Sequence, residues 1–313
     1  MKTSPSADAV RQALTTAHAL FKNVADGRNA DYIPYLAGVP AQLFGIAAVL
    51  TNGTVLEVGD THYEFAIESI SKVFTLALVM EEIGPTELRR KVGAEPTGAP
   101  FNSIIAIELH GGKPLSPLVN AGAMATTSLV QAADADERWA KILAIHSRFA
   151  GRPLALNEQV YRSEAETNFH NRAIAWLLYS YGTLYSEPLA VCDVYTRQCS
   201  LAIHTVDLAT MGATLAAGGV NPVTGEWVIS RANVAPILAE MTMEGLYGAS
   251  GDWLYTVGLP GKSGVSGGIL AVAPGVGALA AFSPPLDPIG NSVRGQRAVQ
   301  HIANRLGLNV LLP

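Results

Sequence analysis

Apolar runs of strand length lie at both ends of this 313-residue chain, and helical periodicity fills the stretch between them. That distribution constrains the fold most, because a strand can bury its faces only within a sheet, and here the two ends must supply it together. Near the start, apolar runs at residues 43–50 and 55–58 flank Asn52-Gly53, the strongest short hairpin signal. A further strand over residues 63–67 leads straight into Ser69. Near the end, residues 254–259, 268–272 and 277–282 read as strands.

From Ser71 the period becomes helical. Val73, Leu76, Ala77, Met80 and Ile83 share a face, and Gly84-Pro85 stops the helix. Further helices are predicted over residues 120–133, 136–149, 164–181 and 205–217, and from beyond Trp227 to Met243. Two more lie at the ends. One starts near Ser6 and runs to Val24, with Val10, Leu14, Ala17 and Phe21 on one face; the other spans residues 292–306. The economical arrangement is an α/β (α+β) chain: one antiparallel sheet built from both ends, flanked by helices, with a helical subdomain inserted. The sheet part would take residues 1–68 and 222–313 and the helical part residues 69–221, with the site in the cleft between them.

The hydrophobic fraction of 49% against 15% charged residues gives enough apolar surface for a packed core and excludes large-scale disorder. A net charge of −5 with no basic run argues against a nucleic-acid partner. Residues 265–286 are nearly free of charge and long enough to span a bilayer. Glycines and prolines divide them into two short runs around Pro274-Gly275-Val276-Gly277, which reads as strand, turn, strand, so no membrane partner is expected. Residues 1–7 are polar and no apolar stretch follows, so a secretory signal is not expected. Cys192 and Cys199 are too few for a disulfide framework or a zinc site and read as buried thiols of a cytoplasmic chain. No His/Cys/Asp/Glu group has ligand spacing, so neither metal nor cofactor is expected.

Two short motifs carry chemistry. In Ser69-Ile70-Ser71-Lys72, a helix starting here puts Ser69 and Lys72 on one face. A serine hydroxyl attacks only when a base takes its proton, and a lysine amine is a base only when burial or a nearby cation keeps it neutral. The bland reading is a pair of exposed helix residues. Lys262-Ser263-Gly264 matches the Lys-Thr/Ser-Gly element that S-x-x-K hydrolases place on an inner strand across the cleft from the serine. Lys262 would then be the second cation that keeps Lys72 neutral. The Val265 and Ser69 N–H groups could form an oxyanion hole. Here the bland reading is a surface turn. A third string, Gly264-Val265-Ser266-Gly267-Gly268, fits G-x-S-x-G, but that elbow must turn from strand to helix and residues 269–272 read as strand.

With both motifs in order, Ser69-Ile70-Ser71-Lys72-Val73-Phe74-Thr75-Leu76 resembles the serine segment of the glutaminase family, the β-lactamase-fold glutaminases of bacteria and animal mitochondria. Several further blocks resemble the same family: Tyr32-Ile33-Pro34, Pro117-Leu118-Val119-Asn120-Ala121-Gly122-Ala123, Ser163-Glu164 with Asn171, and Asp193-Val194-Tyr195. So do the stretch from Gly258 through Lys262-Ser263-Gly264-Val265 to Gly268, and Ser283-Pro284-Pro285-Leu286-Asp287. The likeness spans about residues 32–295. Animal members also carry ankyrin repeats; none is visible in these residues, which makes the resemblance one to the bacterial type.

The resemblance implies a β-lactamase/transpeptidase-like fold and hydrolysis of the side-chain amide of L-glutamine to L-glutamate and ammonia. Ser69 would attack, Lys72 would take its proton, and Tyr247 would shuttle a proton or stabilise the serine oxygen. Tyr32 would line the pocket and Glu164 would grip the substrate ammonium. Asn120, Asn171 and Tyr195 would supply further hydrogen bonds. It also implies a homo-oligomer, a dimer or a tetramer. Each residue has an ordinary alternative: Glu164 near a helix start could serve the helix dipole, Asn171 could be a surface amide, Tyr195 a core tyrosine and Tyr247 a loop anchor. Penicillin-recognising relatives carry a Ser or Tyr where this chain has Leu118, which counts against β-lactamase chemistry. The competing readings are a β-lactamase-like amidase or esterase on another substrate, and a non-catalytic amino-acid-binding protein.

Overall fold

The computed structural model describes residues 5–312; Met1 to Ser4 of the polar start, and Pro313, lie outside the described residues. Helix α1 (Ala7–Phe21) is capped by the Ser6 hydroxyl, which accepts from the Ala9 N–H, and a short α2 (Pro34–Ala37) follows. Strands β1 (Gly45–Leu50) and β2 (Val55–Gly59) form the hairpin, and β3 (Phe65–Ala66) runs into a 3-10 turn, Glu68–Ile70. The helical middle comprises α3 (Ser71–Ile83), α4 (Pro85–Lys91), α5 (Ile104–Leu109), α6 (Asn120–Leu129) and α7 (Ala135–Ala150). Strand β4 (Ala155–Leu156) precedes α8 (Glu158–Thr167), α9 (Phe169–Ser180) and α10 (Pro188–Cys199). The chain continues with β5 (Leu201–Ile203), α11 (Thr205–Ala216), α12 (Arg231–Glu244) and α13 (Ser250–Thr256). It ends in β6 (Gly261–Ser263), β7 (Gly268–Ala273), β8 (Gly277–Phe282) and α14 (Val293–Arg305).

The main sheet is antiparallel, in the order β2-β1-β8-β7-β6, so the N-terminal hairpin and the C-terminal strands join where β1 pairs with β8. Ala47 lies opposite Ala280 and Val49 opposite Ala278. Strand alternation then sorts the side chains by face. Ala47, Val49, Leu270, Val272, Ala278 and Ala280 face one core with Val73, Leu76, Phe149 and Leu208. Ile46, Ala48, Ile269, Ala271, Leu279 and Ala281 face a second core with Val10, Leu14, Val299 and Ile302 of α1 and α14. Both faces are covered, which explains why these strands read as unbroken apolar runs. Gly212 lets α11 lie close on the sheet: a Cβ there would stand 2.5 Å from Leu270 Cδ1 and 2.7 Å from the Ala278 Cβ. A small second sheet, β3-β5-β4, closes the base of the helical part.

Some expectations fail for physical reasons. Residues 254–259, expected as strand, form the end of α13 and the turn after it; Trp253 and Val257, four apart, are the buried pair, and Gly258 at φ 68° turns the chain into β6. A short apolar run does not separate the two periods. The single helix expected over 164–181 is two, because Asn168 breaks it and donates to Thr196 Oγ1 at 3.0 Å. The first helix ends at Phe21, short of Val24, and the sixth ends at Leu129. The Lys-Ser-Gly element lies on β6, the terminal strand of the sheet and not an inner one. The G-x-S-x-G string leads into strand β7, as expected.

Candidate active site

Ser69 sits in the middle of the 3-10 turn ahead of α3, and Lys72 in the first turn of α3 itself. Three residues along these tight turns bring the two side chains together: Lys72 Nζ donates to Ser69 Oγ at 3.0 Å. It donates also to Asn120 Oδ1 at 2.7 Å, from the first residue of α6. Asn120 is held in turn: Tyr195 OH donates to its Oδ1 at 3.1 Å, and its Nδ2 donates to Asn171 Oδ1 at 3.0 Å. Lys72 is 1% exposed. Burial brings its pKa down to about 8, against the opposing pull of Cys199, Glu68, Glu164 and Glu244.

Tyr247 lies in a 3-10 turn after α12 with φ 56°, a conformation that costs a residue with a side chain. Its ring lies tilted against Phe101 at 4.8 Å between centroids, and its buried hydroxyl faces the Ser69 and Ser263 hydroxyls. The ring stands between the two lysines, with Lys262 Nζ 4.1 Å and Lys72 Nζ 5.9 Å from its centroid. Lys262 donates to the carbonyls of Gly245 (3.0 Å) and Ser263 (2.8 Å) rather than to Ser69 or Asn120. Burial first, then Lys72, pushes the Lys262 pKa well down. The Lys72 amine owes its low pKa first to burial, not to Lys262, which differs from the expected division of labour.

Gly264 packs against the serine turn: a Cβ on it would meet the Ile67 carbonyl oxygen at 2.9 Å and Glu68 Cβ at 3.3 Å. Val265 is buried with Ile33, Leu36 and Leu286, which pins its segment to the tyrosine loop. Neither the Ser69 nor the Val265 N–H makes a hydrogen bond within the described residues. The buried Ser263 hydroxyl faces that of Tyr247. Tyr32 keeps a half-exposed ring, yet its hydroxyl end faces Glu68, Tyr247 and Glu164, and burial raises its pKa. Glu164 on α8 is buried with Oε2 unpaired, and burial brings its pKa up to about 7. The site residues read from the sequence thus converge, with Lys262 one ring removed.

Sequence reasoning passed over Glu68, Phe101, Cys199 and Glu244. Glu68 adjoins Ser69, and only the conventional start of the motif hid it. One oxygen of Glu68, one of Glu164 and the Cys199 sulfur lie within 4.8 Å of one another. Burial raises the pKa of all three, so a cation would bind there only after protons leave.

An antiparallel sheet flanked by helices, with S-x-x-K at its edge, places the molecule in the β-lactamase-like class of folds. The sequence profile described as Glutaminase matches residues 27–311. The glutaminase of Brucella suis biovar 1 (strain 1330) is 64% identical over 307 residues, covering 98% of this chain and 97% of that one. Glutaminase 1 of Escherichia coli O157:H7 is 62% identical over 304 residues, covering 97% and 98%. The solved structure of "Probable glutaminase ybaS" superposes with a TM-score of 0.98 at 60% identity, covering 99% and 100%. That of Mglu in its glutamate form gives 0.91 at 35%, covering 100% and 70%. This chain belongs to the glutaminase family.

Proposed function

We propose that this chain hydrolyses the side-chain amide of L-glutamine to L-glutamate and ammonia, through an ester of the γ-glutamyl group on Ser69. The observation that carries the reading is the 3.0 Å bond from a buried Lys72 to Ser69. With a pKa of about 8, roughly one Lys72 in ten is uncharged at pH 7 and able to take the serine proton. Ser69 attacks the carboxamide carbon, and the oxyanion falls to the free N–H groups of Ser69 and Val265. Tyr247, whose hydroxyl faces Ser69, passes a proton to the departing ammonia and is reprotonated by the Lys72 ammonium, which returns Lys72 to its neutral form. Water then attacks the ester with the same base.

Glu164 takes the α-ammonium, and Asn120, Asn171, Tyr195 and Tyr32 orient the rest of the amino acid. A structural neighbour, Mglu, is solved in a glutamate form, which supports an amino-acid substrate. Position 118 is a leucine and the Ser116 hydroxyl is engaged by Glu240 and the Leu118 N–H, so the asparagine loop offers no free hydroxyl base, and Lys72 and Tyr247 handle the protons. We take the sheet part as residues 1–68 and 222–313 and the helical part as residues 69–221, with the site between them. We extend the reading to a cytoplasmic homo-oligomer. Exposed Ile105, Leu109, Phe169 and Trp176 on α5 and α9 support association, and the two free, buried cysteines support a reducing compartment. Among the described residues no helix is long and apolar enough to cross a membrane.

The test is ammonia release from glutamine by Ser69→Ala. We expect kcat to fall by about a thousandfold or more while the circular dichroism spectrum is unchanged. Turnover that survives the substitution would remove Ser69 as nucleophile.

A further inference from the structure

Glu68, beside the nucleophile, is a buried acid of the pocket that the mechanism above leaves idle. It is 3% exposed and its Oε1 has no partner. Its φ is 51°, the left-handed region that disfavours a residue with a Cβ, so the fold tolerates strain to present this side chain. Five groups from five elements face it. They are Glu164 of α8, Lys72 of α3, Cys199 of α10, Tyr32 ahead of α2, and Tyr247 beyond α12.

We propose that Glu68 works as an uncharged carboxylic acid, a hydrogen-bond donor to the α-carboxylate of the substrate, while Glu164 alone supplies the negative charge for the α-ammonium. The inference rests on reading this pocket as the glutamine site.

Charge balance carries it. An amino acid brings one ammonium and one carboxylate, so a single ionised glutamate completes its pairing. A carboxylate oxygen of Glu68 lies within 4.8 Å of one of Glu164, and no ion pair neutralises either among the described residues. Two like charges that close, in a buried site, do not both stay ionised. The cation facing both is Lys72, whose bonds go to Ser69 and Asn120 and which must be neutral to act. An ionised Glu68 would hold Lys72 protonated and would repel the substrate carboxylate. A protonated Glu68 does neither, and it gives that carboxylate a donor beside the Tyr32 hydroxyl. Burial and the neighbouring Glu164 favour this form.

The isosteric variant Glu68→Gln keeps a neutral donor and separates the two states. We expect its kcat/KM for glutamine to stay within about threefold of the parent, with the acid limb that reports Lys72 unmoved, whereas Glu68→Ala should lose about tenfold, mainly in KM. A Glu68→Gln loss beyond about tenfold would overturn the proposal. So would a shift of its acid limb to lower pH, the sign of a negative charge taken from beside Lys72. Equal activity of Glu68→Ala and the parent would remove the donor. Glu68→Gln decides the matter even where Glu68→Ala does not fold. Failure of the pocket reading looks different: Ser69→Ala would still release ammonia, or Glu164→Gln would leave KM unchanged.

Discussion

The base role proposed for Lys72 depends on the protein refusing it water. Lys72 is enclosed by Ser69, Asn120 and the rings of Tyr195 and Tyr247, and the loss of hydration outweighs the pull of the surrounding acids. A lowered lysine pKa means that the working, neutral form is lost as pH falls. The kcat/KM for glutamine should therefore rise with pH through about 8 and level off above it. A flat profile from pH 6 to pH 9, about three units that bracket the Lys72 titration, would show another base at work. Lys72→Arg sharpens the point, since a guanidinium keeps its proton at any working pH. We expect that variant to lose about three orders of magnitude in kcat. Glu164, held up to about 7, was marked as a ligand from its resemblance to a family position, because periodicity cannot tell a buried acid from a surface one at a helix. Glu68 was missed for the complementary reason: its role comes from a left-handed backbone and from Glu164, a residue far away in sequence.

Elements hold these residues through close backbone approach, which glycine permits. Gly122 lies in the first turn of α6, two residues beyond Asn120, and a Cβ there would run into the carbonyl of Ser116 and the Cα of Pro117. Backbone cannot move aside as a flexible side chain can. We expect Gly122→Ala to cost about 1–3 kcal/mol in urea denaturation and to lower kcat by displacing Asn120 from Lys72. Gly251 in α13 has open space around it, and Gly251→Ala should leave stability unchanged or raise it by about 0.5 kcal/mol. Equal behaviour of the two variants would mean that α6 is not pinned by that contact. Elements whose local chemistry agreed with their burial were legible: the hairpin at Asn52-Gly53, the strand pair around Pro274-Gly275, and α3 up to Gly84-Pro85. Those defined by distant partners were not. Asn168 breaks a continuous helical pattern because Thr196 takes its amide, and α13 is helical because Trp253 bonds the Leu259 carbonyl and packs beneath the sheet.

For the whole molecule, the problem is to keep the two chain ends together, since the five-stranded sheet is complete only while β1 stays paired with β8. Packing of α1 against α14 does part of this. Arg294, in the first turn of α14 and 3% exposed, does the rest. Its guanidinium donates to Ser283 Oγ at 2.7 Å, just past β8, and to the carbonyls of Lys22, Ala41, Gln42 and Leu43, between α1 and β1. One planar cation thus satisfies acceptors from both ends, in a site where burial lowers its pKa and Asp60 opposes the loss. Removing it takes the donor from the buried Ser283 hydroxyl and from several part-buried carbonyls. We expect Arg294→Ala to lose about 3 kcal/mol of unfolding free energy, read by urea denaturation. Its folded fraction should keep kcat, because none of these atoms touches Ser69 or Lys72. Arg294→Lys should lose nearly as much, since an ammonium has three donors on one atom and cannot reach acceptors spread along a fork. Full stability in that variant would mean that charge alone, and not the shape of the donor, closes the sheet.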